Sequence, residues 1–125
     1  RLNYVAPDVL RMPEEIIDEL PRTLPQAQYQ TFDEIINQTD VLYVTRVQKE
    51  RFESEAAYES VKGTYVISKE TMKQAKDKMI VMHPLPRVGE ISMDVDDDPR
   101  AAYFRQMEYG LYVRMALLAM VLGKA

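Results

Sequence analysis

The sequence has no cysteine and a single histidine among its 125 residues. Without cysteine, the chain cannot form a disulfide, supply a thiolate nucleophile or hold a metal through sulfur. One histidine is also too few for a metal site built from imidazoles, which needs several of them. The composition therefore predicts a site that contains no metal ion.

Positive charge and long apolar segments are scarce as well. The chain has 16 lysines and arginines against 20 aspartates and glutamates, which gives a formal net charge of -4. This balance provides no basic surface for nucleic acid or for an anionic membrane. The start has no secretory signal, and the longest apolar run is interrupted by Arg114 and is too short to cross a bilayer. We therefore expect a cytoplasmic protein that binds neither nucleic acid nor membranes.

Glycine is also rare, and the 4 glycines form no phosphate-binding loop. The run Asp96-Asp97-Asp98 raises the alternative of a divalent-cation site, but no further ligands follow at a suitable spacing. We interpret the run as the beginning of a helix, with Asp98 as the N-cap and Pro99 as the first helical residue.

The residues that are present indicate alternating strands and helices. Short apolar runs predict buried strands over residues 1–6, 41–44, 64–67 and 79–82, and an edge strand over 26–31. Helices are predicted from Pro13, with Ile16, Ile17 and Leu20 on the buried face, and over residues 32–36, 55–61 and 69–78. This order predicts an α/β fold: an open parallel sheet with helices on both faces, which binds ligands at the carboxyl ends of its strands.

The last part of the chain predicts one long C-terminal helix. Its apolar side chains recur at helical spacing and form a single stripe, and Gly123 suits the helix end. The stripe consists of Tyr103, Met107, Leu111, Met115, Leu118 and Leu122. We interpret it as a packing surface rather than a cofactor site, because methionine fills irregular gaps in cores. Since the chain begins without Met and inside a predicted strand, we expect a longer protein in which another domain covers this stripe.

Two loops at the ends of predicted strands carry groups that suit a binding site. The first contains Arg46, whose planar guanidinium fits a carboxylate or a phosphate. Gln48 points the same way if the segment is extended. An intramolecular ion pair from Arg46 to Glu50 is the alternative.

The second loop is His83-Pro84-Leu85-Pro86-Arg87, directly after the apolar residues 79–82. Two prolines around one residue keep the chain out of helix and sheet, and they leave backbone carbonyl groups unpaired and fixed in direction. A binding site and a rigid structural turn fit this pattern equally well.

These loops and the residues after them resemble the aspartate carbamoyltransferase family. The resemblance rests on Thr45-Arg46-Val47-Gln48-Lys49-Glu50-Arg51-Phe52, His83-Pro84-Leu85-Pro86-Arg87 with Glu90-Ile91, Asp94-Val95, Ala102-Tyr103-Phe104-Arg105-Gln106 and Arg114-Met115-Ala116-Leu117-Leu118-Ala119. It covers essentially the whole chain, in order, and corresponds to the C-terminal part of the family's aspartate-binding domain. The related ornithine enzymes carry Cys in place of Pro84, so the chain resembles the aspartate branch.

The resemblance implies a domain division and an activity. Residues 1–102 would be part of the L-aspartate-binding domain, a Rossmann-like half of a two-domain enzyme, and residues 103–125 a helix that packs on the carbamoyl-phosphate domain. The activity would be condensation of carbamoyl phosphate with L-aspartate to N-carbamoyl-L-aspartate and phosphate, in de novo pyrimidine biosynthesis, without a cofactor. Residues 51–62 would form the mobile loop that closes the two domains on the substrates.

It also implies roles for residues of the first loop. Arg46 matches an arginine that binds an aspartate carboxylate, and Gln48 matches a glutamine beside it. Glu50 matches an acid that braces this arginine, so the ion pair and the binding role are compatible.

In the second loop, the implied roles belong to the backbone. Pro84 and Leu85 match residues whose carbonyl groups meet the carbamoyl and amino groups of the substrates. Pro86 belongs to the same contact set, and the Leu85-Pro86 bond is cis in the family. His83 does not match the family's catalytic histidine and is interpreted as structural, so no residue of this chain is expected to act as a general acid or base.

Other parts of the family's active site do not occur in the chain, among them a Ser-Thr-Arg-Thr phosphate-binding motif and a lysine-bearing loop from a neighbouring subunit. By resemblance they precede Arg1, so the chain alone is expected to be inactive. The implied partners are copies of the same protein in a homotrimer with shared active sites, together with regulatory chains or fused pyrimidine-pathway domains. One alternative is a noncatalytic regulatory or interaction module with the same half-domain fold, and another is carbamoyl transfer to a different amino acid.

Overall fold

A computed structural model describes residues 1–21 and 23–124 of the chain. Its strands are β1 (Leu2–Val5), β2 (Gln26–Tyr29), β3 (Val41–Tyr43) and β4 (Ile80–Met82). Its α-helices are α1 (Glu14–Glu19), α2 (Glu55–Glu59), α3 (Lys69–Gln74) and α4 (Tyr103–Val121). Single turns of 3-10 helix lie at Asp8–Leu10, Ile36–Gln38, Lys49–Arg51 and Met93–Val95.

The strands form two parallel pairs, which confirms the predicted α/β class. β1 pairs with β2, and β3 pairs with β4 in the register Val41 with Ile80 and Tyr43 with Met82. On its other side, β4 bonds to the segment that precedes α4. There the Val81 N–H donates to the Arg100 carbonyl at 2.9 Å, and the Ala102 N–H donates to the Val81 carbonyl at 2.8 Å. β4 is therefore the central strand of its sheet.

The strand predicted over residues 64–67 does not form. Only Ile67 pairs, in an isolated parallel bridge with Ile91. Gly63, at φ +74°, lies in a tight turn that the Thr64 N–H closes on the Val61 carbonyl at 3.2 Å. The Tyr65 side chain packs edge-on against Phe32 and donates its hydroxyl to the Gln30 carbonyl at 2.6 Å. Side-chain contacts therefore hold this segment where a strand ladder was expected.

One apolar core lies around β4 and α3. Ile67, Met79 and Val81 are fully buried, and Tyr103 from α4 completes this core at 0% exposure. α3 begins at Ser68 with a capping box, in which the Ser68 and Thr71 side chains each bond to the other's backbone N–H. The helix ends four residues before the predicted Lys78, because the chain must turn at residues 76–79 to bury Met79 and enter β4.

Two surfaces that were predicted to be buried are exposed within this chain. No residue of α1 is fully buried: Ile16 is 45% exposed, while Ile17 and Leu20 are half-buried, so the predicted buried face is only partly covered within this chain. On β3, Leu42 is buried while Val41 and Tyr43 on the opposite face are exposed. The apolar run 41–44 is therefore covered on one side only by the residues of this chain.

The start of the long helix is also corrected. α4 begins at Tyr103 after Ala102, so Asp98 is not its N-cap and Pro99 is not its first residue. Asp98 instead accepts two hydrogen bonds from the Arg100 guanidinium at 2.9 and 2.8 Å, and these bonds lower its pKa against the opposing effect of burial. Asp98 cannot cap the helix because its carboxylate binds Arg100. The helix also begins later than predicted because the four residues after Asp98 run alongside β4 and bond to it.

The other end of α4 is as predicted. The helix ends at Val121, and Gly123 adopts φ +63°, a left-handed conformation that glycine reaches without a side-chain penalty. The Lys124 N–H then donates to the Ala119 carbonyl at 2.8 Å.

The predicted stripe on α4 is buried only at Tyr103, and its remaining members range from 39% exposed at Met107 to 69% at Leu122. Within the described residues, no helix is both long and apolar enough to span a membrane.

A cluster of Arg87, Asp96 and Tyr103 closes the core beside α4. The Arg87 guanidinium binds both oxygens of Asp96, and the Tyr103 hydroxyl donates to the same carboxylate at 2.5 Å. The hydrogen bond from Arg87, followed by that from Tyr103, lowers the pKa of Asp96. Burial and the Asp96 carboxylate raise the pKa of Tyr103 to about 12. The cluster ties the end of the second loop to the first turn of α4.

We expect Asp96→Asn to lower the free energy of unfolding by about 2 kcal/mol, because it removes the charge that Arg87 and Tyr103 contact. A carboxyl whose pKa is lowered by folding stabilises the folded state above its unfolded pKa and loses that contribution as the pH falls through its folded pKa. The difference between the two proteins should therefore be complete near neutral pH and shrink as the pH falls below about 4.

Urea unfolding at a series of pH values measures this difference. Asp97→Asn is the matched control, because Asp97 is exposed and its side chain forms no hydrogen bond or ion pair with the described residues. A protein with Asp96→Asn that is as stable as the control near neutral pH would contradict the prediction.

Candidate substrate-binding site

The two predicted loops leave the same edge of one sheet, side by side. β3 and β4 are parallel neighbours, and the Val44 N–H extends their pairing by donating to the Met82 carbonyl at 2.9 Å. Residues 45–48 and 83–87 therefore begin next to each other at the carboxyl end of the pair. The structure thus brings together the two segments that the sequence singled out, at the place where parallel sheets bind their ligands.

Arg46 and Glu50 form a two-pronged ion pair in the first loop. The two terminal nitrogens of Arg46 lie 3.2 and 2.5 Å from the two carboxylate oxygens of Glu50. The 3-10 turn Lys49–Arg51 makes this possible, because it turns the chain back so that Glu50 faces Arg46. The hydrogen bond from Arg46 lowers the pKa of Glu50 to about 2, and Glu50 in turn raises the pKa of Arg46.

This ion pair leaves Arg46 able to bind a further anion. Glu50 occupies two guanidinium N–H groups, a guanidinium has more donors than that, and the described residues engage no others. The Arg46 side chain is 37% exposed, so the remaining donors are accessible. The negative charge of Glu90, just beyond the second loop, also acts to raise the pKa of Arg46. The ion pair that was the alternative interpretation is present, and it orients the guanidinium rather than hiding it.

Gln48 is extended, at φ -84° and ψ 100°, and half-buried at the start of the 3-10 turn. Its carbonyl accepts the Arg51 N–H at 3.1 Å, while its side chain has no hydrogen bond with any residue in the described part of the chain. The backbone at Gln48 itself is extended, and the placement of its side chain beside Arg46, which depends on the whole segment, stays a prediction.

The second loop has an unusual backbone. Leu85 has φ +46°, a conformation that residues with a side chain seldom adopt. The Leu85-Pro86 peptide bond is cis, as the resemblance implied. Pro84 and Pro86 are exposed and Leu85 is half-buried. Among the described residues, no hydrogen bond ends on the carbonyl oxygen of Pro84 or Leu85, so both oxygens can accept one from a ligand.

The buried side chain of His83 holds this loop through hydrogen bonds. Its ring is 1% exposed, with Nδ1 2.8 Å from the Leu85 nitrogen and Nε2 2.6 Å from a carboxylate oxygen of Glu90. The His83 N–H donates to the Gln106 side chain on α4 at 2.9 Å. Burial acts to raise the pKa of Glu90, but hydrogen bonds from its own backbone, from Val88 and from His83 outweigh it, so that pKa is lowered. The interpretation of His83 as a structural residue agrees with these contacts.

Sequence reasoning assigned no role to two residues of this arrangement, Glu90 and Gln106. Glu90 lies a few positions after the proline motif, and the one signal for it was that Glu90-Ile91 belongs to the residues that carry the family resemblance. Gln106 lies on α4, 23 residues beyond His83, and nothing in the sequence indicated that the two meet. Within residues 1–21 and 23–124, no group of three or more metal-binding side chains comes together.

The chain matches a family model described as aspartate/ornithine carbamoyltransferase, Asp/Orn binding domain, over residues 1–121. It is 59% identical over 124 residues to the multifunctional protein pyr1-3 of Dictyostelium discoideum, which covers 98% of this chain and 6% of that protein. It is 52% identical over 123 residues to the aspartate carbamoyltransferase catalytic subunit of Thermoplasma volcanium, covering 98% of this chain and 40% of that subunit. The chain therefore spans less than half the length of these relatives.

Solved structures agree with these matches. The catalytic subunit of M. jannaschii aspartate transcarbamoylase superimposes with a TM-score of 0.86 at 45% identity, over 98% of this chain and 41% of that one. Aspartate transcarbamoylase from Trypanosoma cruzi in complex with N-(phosphonacetyl)-L-aspartic acid superimposes with a TM-score of 0.82 at 46% identity, over 93% of this chain and 38% of that one. The chain belongs to the aspartate/ornithine carbamoyltransferase family, and residues 1–121 match its Asp/Orn binding domain.

Proposed function

We propose that the protein containing this chain transfers a carbamoyl group from carbamoyl phosphate to L-aspartate, giving N-carbamoyl-L-aspartate and phosphate in pyrimidine biosynthesis. The observation that carries this proposal is the pairing of an accessible, braced Arg46 with two uncommitted carbonyl groups on the neighbouring loop. A carboxylate-binding cation beside acceptors for N–H groups suits an amino acid that must present its amine for attack.

In this proposal Arg46 binds a carboxylate of aspartate, and Gln48 contacts the substrate beside it. A planar guanidinium holds a carboxylate in a fixed orientation, which a single ammonium group does not. Glu50 restricts Arg46 to one orientation before the substrate arrives, so less conformational freedom is lost on binding.

The reaction joins the aspartate nitrogen to the carbamoyl carbon. The amine lone pair attacks that carbon, the bond from the carbon to the phosphate oxygen breaks, phosphate leaves with the electron pair, and the nitrogen gives up a proton. The carbonyls of Pro84 and Leu85 accept N–H groups of the amine and of the carbamoyl NH2, and so align the two reactants. Pro86 holds the chain around them, and no side chain of this segment transfers a proton.

The remaining parts of the site belong to other segments in this proposal. Phosphate-binding residues lie in a carbamoyl-phosphate domain outside this chain, and a neighbouring copy in a cytoplasmic homotrimer completes the site. Residues 1–102 are then part of the aspartate-binding domain, and residues 103–125 pack on the carbamoyl-phosphate domain. The exposed stripe on α4 supports this division, since a large apolar surface is rarely left in water. The segment alone is expected to be inactive.

We expect Arg46→Ala in the complete protein to reduce kcat/KM for aspartate by about 100-fold or more, because the cation that orients the carboxylate is lost. Steady-state kinetics at saturating carbamoyl phosphate measure this effect. Lys76→Ala is the control, since Lys76 also pairs with an acid, Asp40, but at the opposite, amino-terminal end of β3 and β4. Kinetics of the Arg46→Ala protein that match those of the control would refute the assignment.

Titration with N-(phosphonacetyl)-L-aspartic acid separates an enzyme from a noncatalytic module with the same fold. The complete protein should bind this compound tightly and saturably, because the compound joins an aspartate group to a phosphonate and so engages both halves of the proposed site. Calorimetry measures the binding, and a panel of amino acids in the activity assay tests for a different acceptor. Absence of binding would favour the module, and turnover of ornithine but not aspartate would reassign the substrate.

The proposed packing of α4 predicts that one face of the helix is sensitive to charge. Leu118 lies in the apolar stripe and Tyr109 lies on the opposite face, and both are exposed in this chain. Leu118→Glu should lower the Tm of the complete protein by roughly 5 °C or more, because it buries a charge against the other domain. Tyr109→Glu should leave it nearly unchanged. Equal effects of the two substitutions in thermal unfolding would argue against the packing.

A further inference from the structure

The ring of His83 is the one buried polar side chain of the described core, and all of its hydrogen-bonding capacity is used. Nδ1 faces the Leu85 N–H and Nε2 faces Glu90. In the proposed reaction the ring touches neither substrate. The ring lies between a carboxylate and the backbone of the loop that binds the substrates in that proposal.

The contacts of the ring define its tautomer. A backbone N–H can only donate, so Nδ1 must accept from Leu85 and carries no proton. The ring proton is then on Nε2, which donates to Glu90. The second oxygen of Glu90 accepts the Val88 N–H at 3.0 Å, which fixes the carboxylate and therefore the ring.

The backbone donors of the loop are few and all of them are occupied. Pro84 and Pro86 have no N–H, so His83 and Leu85 supply the two donors between residues 83 and 86. The first donates to Gln106 and the second to the His83 ring. Both peptide groups that carry an N–H in this stretch are therefore held, including the one that contains the Pro84 carbonyl, and the carbonyls of Pro84 and Leu85 remain available.

Leu85 in particular needs an external support. A residue with a side chain at φ +46° is held there at a cost of about 1 kcal/mol or more, and the surroundings must offset that cost. The hydrogen bond to the His83 ring is the only contact of the Leu85 backbone N–H among the described residues. Without this acceptor, the peptide between Pro84 and Leu85 is free to rotate, and the Pro84 carbonyl rotates with it.

We propose that His83 is a positioning residue for the carbamoyl transfer: unprotonated Nδ1 holds the Leu85 N–H and thereby directs the carbonyls of Pro84 and Leu85 at the substrates. This inference rests on the proposed function. It gives the single histidine of the chain a role in the reaction without proton transfer, and it gives Glu90 and Gln106 the role of fixing the ring and the start of the loop.

Two substitutions separate the ring's two contacts. In His83→Asn the side-chain oxygen lies where Nδ1 was and still accepts the Leu85 N–H, but the bond to Glu90 is lost. In His83→Gln the terminal NH2 lies where Nε2 was and still donates to Glu90, but no atom takes the place of Nδ1, so the acceptor for Leu85 is lost. Gln also fills the buried volume better than Asn, so the His83→Gln protein should be the more stable of the two. The His83→Asn protein should be the more active, because it keeps the acceptor for Leu85.

We expect the complete protein with His83→Gln to be the more stable variant by Tm and to lose about 10- to 100-fold in kcat. The His83→Asn protein should be less stable but retain kcat within a few-fold of the original. Affinity for inorganic phosphate should be unchanged in both, since this loop does not bind phosphate in the proposal. Activity that follows stability, with His83→Gln the better enzyme, would overturn the role of His83.

The activity of the protein without substitutions separates failure of the proposed function from failure of the proposed role of His83. If that protein shows no carbamoyltransferase activity, the proposed function fails and the role of His83 fails with it. If it is active and the activities of the two variants follow their stabilities, only the role of His83 fails. Nitrogen NMR of the complete protein labelled at histidine applies even when a variant does not fold. An unprotonated Nδ1 and a protonated Nε2 at His83 are expected, and a protonated Nδ1 would overturn the proposal.

Discussion

The double pairing of β4 is the constraint on which the site depends. Val81 is fully buried, pairs with Leu42 of β3 on one side and bonds to the backbone around Ala101 on the other. Because neighbouring groups occupy both edges of so short a strand, its carboxyl end can point in one direction only. The loop after β4 therefore emerges between the Arg46 loop and the first turn of α4, where a side chain from either can reach it.

Two arginine–carboxylate pairs in this chain act in different ways. Arg87 and Asp96 are largely buried and join the end of the second loop to Tyr103, so they stabilise the fold from which the site is built. Arg46 and Glu50 are more exposed, and a surface pair contributes little to stability because water and salt screen it. What the second pair does is restrict a long side chain to one orientation, which in the proposed function serves binding rather than folding.

The sequence predicted the elements that local chemistry determines. The capped start of α3, the glycine end of α4 and the two loops at parallel strand ends all follow from residues close to one another in the chain. It failed where distant partners decide the outcome: residues 100–102 bond to Val81 of β4 instead of starting α4, and Tyr65 meets Gln30 instead of joining a strand. The contact between His83 and Gln106 escaped prediction for the same reason, since no local pattern records it. The exposed faces of α1 and β3 show that apolar periodicity indicates a surface suited to burial and does not identify what covers it.

The contact between Gln106 and the His83 N–H joins the loop after β4 to α4 itself. Gln106 lies in the first turns of a helix whose later turns carry the exposed apolar stripe. A helix transmits displacement along its axis because its backbone is bonded from turn to turn. If another domain covers the stripe, then the position of that domain also sets the position of Gln106, and through it the start of the His83-Pro84-Leu85-Pro86 segment. One helix would then align the loop after β4 with that domain, so that the two come together in a defined orientation.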